Sequence, residues 1–165
     1  MLSVTVERTI RSTPEEVLAF VLDVHRYTEI DDKIGPIDWV RQDGDVTEFR
    51  FRSRLPGLPL AAPKVVSRMR LTPGEHIDIV LAPPPRNRFN HKVSTFSASF
   101  VCERVDGGTR LARTISLGFH PAIRWLVEPI LRRTLPPDVE REAEGAKRHL
   151  EHSPESCRDS PKLDT

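Results

Sequence analysis

Residue types capable of chemistry are plentiful in this chain of 165 residues but poorly clustered. The six histidines, His25, His76, His91, His120, His149 and His152, are scattered, and only the last two stand within a helical turn of each other. A metal site needs three or four ligand atoms brought together, and no such spacing occurs, so neither a metal nor a cofactor is expected. Glycine loops that cradle phosphate and the strained serine turn of hydrolases are also missing, which removes phosphoryl transfer and serine hydrolysis from the expected chemistry. Cys102 falls in a predicted strand and Cys157 in a polar stretch; both read as inert, unpaired thiols, in keeping with a reducing cytoplasm. What remains is a few polar residues on apolar faces. Arg8 and Arg113 lie on the buried parity of the first and last strands, with Tyr27, Thr114 and Ser116 within reach. An unpaired buried guanidinium is very costly, so each arginine is expected to meet a carboxylate, with Glu128 and Glu142 as the choices, or a ligand's anionic head. No histidine or carboxylate shares the inward parity of the strands, so general acid/base catalysis lacks a titratable group there and binding is the better-supported activity.

The element that must position these groups runs from Pro121 to His152. Ile123, Leu126, Val127, Ile130, Leu131 and Leu135 recur every three or four residues, and Val139, Ala143, Ala146 and Leu150 continue the stripe. Pro129 and the pair Pro136-Pro137 interrupt helical hydrogen bonding at roughly 3 kcal/mol each. Because the stripe crosses them in phase, two near-collinear helical segments joined by a kink are predicted, rather than a reversal.

Before Pro121 the period is mostly two. Leu2, Val4, Val6 and Ile10 define a first strand, and Thr13-Pro14-Glu15-Glu16 then reads as a helix start with cap, proline and a glutamate three residues on. A second short helix holds Tyr27 and Ile30. From Pro36 onward, strands are marked by Ile37 and Trp39; Phe49 and Phe51; Val65, Met69 and Leu71; Ile77, Ile79 and Leu81; Phe96, Ala98, Phe100 and Cys102; and Leu111, Ile115 and Leu117. Asp43-Gly44, Pro73-Gly74 and Asp106-Gly107-Gly108 supply reversals. Seven strands with short hairpins and a terminal helix predict an α+β fold, a curved antiparallel sheet closing on that helix. The inward residues Trp39, Phe49, Phe51, Met69, Ile79, Phe96 and Phe100 would then face Trp125, Val127 and Leu131. This pattern suits either a filled core or the lining of an apolar pocket. Two connections, 56–63 and 83–89, are apolar or proline-rich enough to form a rim.

Size and charge narrow the classes further. One domain over residues 1–152 followed by a disordered polar tail, 153–165, accounts for the whole chain. Lys+Arg 25 against Asp+Glu 24 gives a net charge of +1, which argues against a nucleic-acid binder. No run of 18 apolar residues exists and the strand pattern begins at Leu2 without a leader, so a cytoplasmic protein is expected. Arg50, Arg52 and Arg54 with Lys64, Arg68 and Arg70 share an outward parity on two neighbouring strands, with Arg50 expected beside Arg68 and with Asp38 and Asp78 beyond. That face is either a solvated surface with weak salt bridges or a contact for an anionic membrane or acidic partner.

Pro14-Glu15-Glu16-Val17 with Asp23 and Tyr27 downstream, then Gly107-Gly108-Thr109-Arg110, and finally Lys147 with Leu150-Glu151, stand in an order that spans residues 2–152. In this the chain resembles the START-related, birch-pollen-allergen-like (SRPBCC) superfamily, and within it the bacterial polyketide cyclase/dehydrase and lipid-transport branch. It departs in having Ile30 where a tryptophan is frequent and a proline pair in the last helix. The resemblance implies the helix-grip fold: a seven-stranded curved antiparallel sheet wrapped around a long kinked C-terminal helix, with two short helices after the first strand. It also implies a deep apolar cavity for a lipid, fatty acid, isoprenoid or polyketide, lined by the aromatic and aliphatic residues above together with Tyr27, Arg113 and Ile115. A polyketide aromatase/cyclase or dehydratase, and a toxin-like or regulatory partner-binding module, are the alternatives.

Overall fold

Thr13 opens the first helix as the sequence requires. Its Oγ1 accepts the Glu16 backbone N–H at 3.2 Å, the Glu16 carboxylate accepts the Thr13 N–H at 2.9 Å, and Pro14 fills the first helical position. The computed structural model describes residues 1–58 and 62–152; the polar tail expected at 153–165, Cys157 included, and part of the 56–63 connection lie outside the described residues. The order is β1 (Leu2–Ile10), α1 (Pro14–Leu22), α2 (Val24–Tyr27), β2 (Ile34–Asp43), β3 (Val46–Ser53), β4 (Lys64–Thr72), β5 (His76–Leu81), α3 (Arg88–Val93), β6 (Ser94–Val105), β7 (Gly108–Phe119) and α4 (Pro121–His152). The strands form one antiparallel sheet in the order β1-β7-β6-β5-β4-β3-β2, with β1 closing on β7 from Leu2 opposite Leu117 to Ile10 opposite Thr109.

Helix α4 is one element of 32 residues rather than two segments, and it does not reverse at Pro136-Pro137. Each proline leaves the carbonyl four residues earlier without its partner, and those carbonyls belong to Trp125, Arg132 and Arg133, all exposed, so water takes the missing N–H's place. Leu131, Leu135, Val139, Ala143 and Ala146 are buried and seat the helix mainly on β1 and β7.

Two register expectations fail on β2 and β3. Irregular pairing between Ile34 and Ile37, and again between Ile37 and Trp39, puts Ile37 opposite Phe51 but Trp39 opposite Arg50. A bulge adds a residue and so reverses the facing of the residues beyond it. Trp39 therefore lies on the outer face, where the guanidinium carbons of Arg41 and Arg86 sit 4.9 and 5.7 Å from its ring centroid. The β3–β4 hairpin is offset by two residues from expectation, so Arg50 faces Val66 while Arg68 faces Glu48. Asp38 holds Lys64 at 2.8 Å and Arg50 at 3.5 Å, and Glu48 holds Arg68 at 2.8 Å and also Arg86.

Closure of β1 on β7 rests on Gly108, which has φ +153°; a Cβ there would lie 2.0 Å from the Ile10 carbonyl oxygen. Gly108→Ala is expected to lower stability by at least the ~1–3 kcal/mol of ordinary overpacking. A urea-denaturation midpoint equal to wild type would show that the closure has slack.

Candidate functional site

Between the concave face of the sheet and α4 lies a cavity of about 230 Å³. Nine of the thirteen residues expected to line one do so: Tyr27, Phe49, Phe51, Met69, Ile79, Phe96, Phe100, Arg113 and Ile115. The other four sit elsewhere. Trp39 is outside the sheet for the reason given above. Leu131 is fully buried in the core beneath α4, Val127 is half-buried against that core, and Trp125 is exposed, its Nε1–H donating to the Ala122 carbonyl at 3.0 Å. From α4 it is Ile123 and Leu135 that reach the cavity. Thr114 and Ser116 also point away: their hydroxyls bond those of Thr5 and Ser3 at 2.9 Å on the other face of the sheet.

The rim comes from both connections singled out in the sequence. Leu55, Ala62 and Pro63 line one side, and Phe89, Asn90 and Val93 of the short helix α3 line the other. Asn87 fixes α3. In the left-handed conformation at φ 56°, it accepts the Val66 N–H at 2.9 Å and donates to the carbonyls of Val66 and Ala82 at 2.8 and 2.9 Å.

The floor is charged. Glu142 Oε1 accepts the Arg113 Nε–H at 2.9 Å and the Tyr27 hydroxyl, while Oε2 accepts from Lys33 Nζ at 2.7 Å. The same ammonium lies 2.7 Å from Asp138 Oδ2 and 2.7 Å from Asp31 Oδ1. The carboxylates of Asp31, Asp138 and Glu142 are close enough together to hold a cation, and Lys33 Nζ, within 2.7 Å of all three, is that cation, so the donor set does not fit a metal. Among the described residues no buried side-chain N or O lacks a hydrogen-bond partner. Arg113 also lies with its guanidinium carbon 4.1 Å from the Phe100 ring centroid, and Tyr27 meets that ring edge-on at 5.5 Å.

Burial sets the proton affinities here, and neighbouring charge corrects them. For Glu142, burial raises the pKa, but Arg113 and then Lys33 outweigh it and leave the group lowered. Burial lowers Lys33, but the charges of Glu142 and Asp31 leave it raised. Burial, with the Glu142 charge next, raises Tyr27 well above the usual phenol range. Asp31 is pushed up to about 6, by burial first and the charge of Glu142 second, against the pull of Lys33.

Of the two inward arginines, Arg113 meets Glu142, one of the two carboxylates expected for it. Arg8 does not: it pairs with Glu144 at 3.5 Å and is only half-buried, while Glu128 is taken by Arg132 at 2.7 Å. Asp31, Lys33 and Asp138 were missed. Lys33 and Asp31 stand in a connection with no period to read. Asp138, however, sits four residues before Glu142 on the apolar stripe, a sign that a cation must cover both.

With this geometry in view the relatives are informative. The profile of the family described as "Polyketide cyclase / dehydrase and lipid transport" matches residues 1–151, and the chain belongs to that family. Its fold is the helix-grip fold. The chain is similar to TTHA0849 from Thermus thermophilus at 15% identity and TM-score 0.71, covering 90% of this chain and 97% of that one. It is likewise similar to the ZhuI aromatase/cyclase from Streptomyces sp. R1128, at 15% identity and TM-score 0.68, over 93% and 98%. The di-domain aromatase/cyclase BexL of the BE-7585A biosynthetic pathway matches at 16% identity and TM-score 0.70, over 93% of this chain and 51% of BexL. No curated protein matches the sequence.

Removing the floor's central anion should be severe. Glu142→Gln leaves Arg113 buried with a neutral partner, while Lys33 keeps Asp31 and Asp138, and a loss of about 3–5 kcal/mol is expected in chemical denaturation; a loss under 1 kcal/mol would mean that water reaches the floor. For Asp31, raised above its unfolded value, the folded state holds a proton that the unfolded chain releases between about pH 4 and 6. Its contribution to stability is therefore full below about pH 4 and falls as pH rises to about 6. The stability of wild type minus that of Asp31→Asn is expected to fall by about 2–3 kcal/mol between pH 4 and 7, and a pH-independent difference would contradict the raised pKa.

Proposed function

We propose that the protein binds a small, mainly apolar molecule in the cavity, with a neutral oxygen-bearing end directed at Arg113 and Tyr27. The observation that carries this reading is the polarity of the cavity, whose walls are mainly Phe, Ile, Val, Leu and Met, with Ser53, Ser67, Ser94 and Asn90 among them, and whose charged groups Asp31, Lys33 and Arg113 gather at the floor. Its volume, about 230 Å³, is below the roughly 300–1,000 Å³ of common ligand sites. A compact ligand fits entirely, and a longer chain fits with its end at the rim. The charge of the floor supports the neutral end: Asp31, Asp138 and Glu142 are already matched by the buried cations Lys33 and Arg113 and by Arg141 on Asp138, so an ionised fatty acid would bring an anion with no cation left to meet it. Ketones, esters and polyketides suit the site better than free acids.

One observation favours the second reading, a polyketide cyclase or dehydratase. Asp31 lines the cavity and titrates at about 6, supplying the titratable group that the strand parity lacked. Two structural relatives are named as aromatase/cyclases.

The test is titration with a series of methyl ketones, the matching fatty acids and a stabilised poly-β-keto mimic, followed by native mass spectrometry and a turnover assay. Binding of ketones in preference to acids is expected, with adjacent chain lengths differing about fourfold, from about 0.8 kcal/mol per methylene. Val65→Phe, which fills the cavity wall, should abolish it. Preference for acids would refute the neutral end. Turnover of the mimic that disappears in a folded Asp31→Asn variant would establish the cyclase reading instead.

A further inference from the structure

The rim carries a feature that ligand binding leaves unexplained. Trp125 is 72% exposed and Phe89 64%, with Leu126 and Ile123 exposed beside them. The His120 N–H donates to the Val93 carbonyl at 2.8 Å, joining the end of α3 to the start of α4; Phe89 and Ile123 both line the opening, and Trp125 and Leu126 follow Ile123 within the same turn of α4. We propose that this rim docks on an anionic lipid surface, with Phe89 and Trp125 entering the headgroup region.

Charge is the first argument. No Asp or Glu occurs in residues 79–102 or 107–127, which include the α3 and α4 side of the rim, whereas Arg86, Arg88, Lys92 and Arg124 lie within them. Arg86 is held by Glu48, and Glu128 is shared by Arg124 and Arg132; among the described residues Arg88 and Lys92, on the same short helix as Phe89, make no salt bridge. Cations flanking exposed aromatic residues are the pattern of interfacial membrane contact. The broad basic face of β3 and β4 is a weaker choice, since Asp38 and Glu48 already hold Lys64, Arg50 and Arg68.

Shape is the second argument. At about 100° per residue, Ile123 and Leu126 lie about 60° apart on one side of the first turns of α4, while Trp125 stands about 100° from Leu126 and about 160° from Ile123 on another. A protein groove covers one side of a helix. The headgroup region surrounds a projecting tip, and tryptophan is favoured there because its ring is apolar and its N–H polar. Docking of this kind is independent of what the cavity holds.

The chain has two tryptophans, so Trp39→Phe leaves Trp125 as the sole reporter. This variant would be mixed with phosphatidylcholine vesicles, with and without phosphatidylglycerol, following emission and co-sedimentation. A blue shift and sedimentation with anionic vesicles alone are expected. Arg88→Gln with Lys92→Gln should weaken binding about thirtyfold, at about fivefold per cation, while Arg50→Gln with Arg70→Gln on the sheet face should not change it. The proposal is overturned by no response to anionic vesicles, by equal binding to neutral ones, or by loss in the sheet-face variant alone. A response of Trp125 to polyglutamate but not to vesicles would overturn it in favour of an acidic protein partner.

Discussion

One carboxylate, Glu142, ties four parts of the chain together. From α4 it reaches Arg113 of β7, Tyr27 of α2 and Lys33 just before β2, and Lys33 carries the connection on to Asp31 and Asp138. Replacing such a network with well-packed apolar residues is often neutral or stabilising, so its value here is not simply stability. The stripe of α4 repeats aliphatic residues at four-residue spacing, Leu131, Leu135, Val139 and Ala143, so a slide by one turn keeps apolar side chains against the sheet, though of different sizes. A slide of one turn, about 5.4 Å, would however take Glu142 away from Arg113 and Tyr27 and leave at best the shorter Asp138 in its place, at a cost of several kcal/mol for a buried guanidinium deprived of its carboxylate. The ionic floor thus fixes the helix's position along the sheet.

That fixed position is also what allows a cavity to persist. A close-packed interior tends to collapse onto any void, because wall atoms without neighbours lose dispersion energy. Here the sheet is held open at one end by the paired side chains of the floor and at the other by α3, which Asn87 pins to Val66 and Ala82. The side chains that might fill the gap are themselves packed against one another: Phe49 stacks on Phe51 at 5.1 Å, and Phe100 is taken up by Tyr27 and Arg113.

The fold was legible in the sequence because its signals are local or periodic. The Thr13 cap, the Asp-Gly and Gly-Gly turns and the in-phase stripe through Pro136-Pro137 each act within a few residues. The cavity lining was legible wherever strand parity ran undisturbed, as for Phe49, Met69, Phe96 and Ile115. Trp39 failed because a bulge leaves no mark in an alternating pattern, and the β3–β4 register failed because the long connection between the strands does not fix their offset. Trp125 failed for a different reason. It stands about 160° around α4 from Ile123, off the stripe of Ile123, Leu126 and Val127, and Ile123 is the residue of that turn that reaches the cavity. Lys33 was invisible because its two partners on α4 are 105 and 109 residues away.

The two ends of the cavity differ in a way that orders how a ligand enters. Moving a neutral carbonyl from water to an apolar site costs roughly 2–7 kcal/mol without a hydrogen bond, and the charged donors that could offset that, Arg113 and Lys33, are at the floor. A ligand held with its polar end at the rim leaves that end solvated but leaves the floor's donors facing only apolar chain. One held polar end inward exchanges water for Arg113, whose Nε–H and one Nη1–H are already committed to Glu142 and to the Thr114 carbonyl. Its remaining donors are fixed in direction by those two bonds, so the guanidinium meets a ligand oxygen without first losing rotamer freedom. The polar network that positions α4 therefore also orients the group best placed to select the ligand, and a change in either function acts on the other.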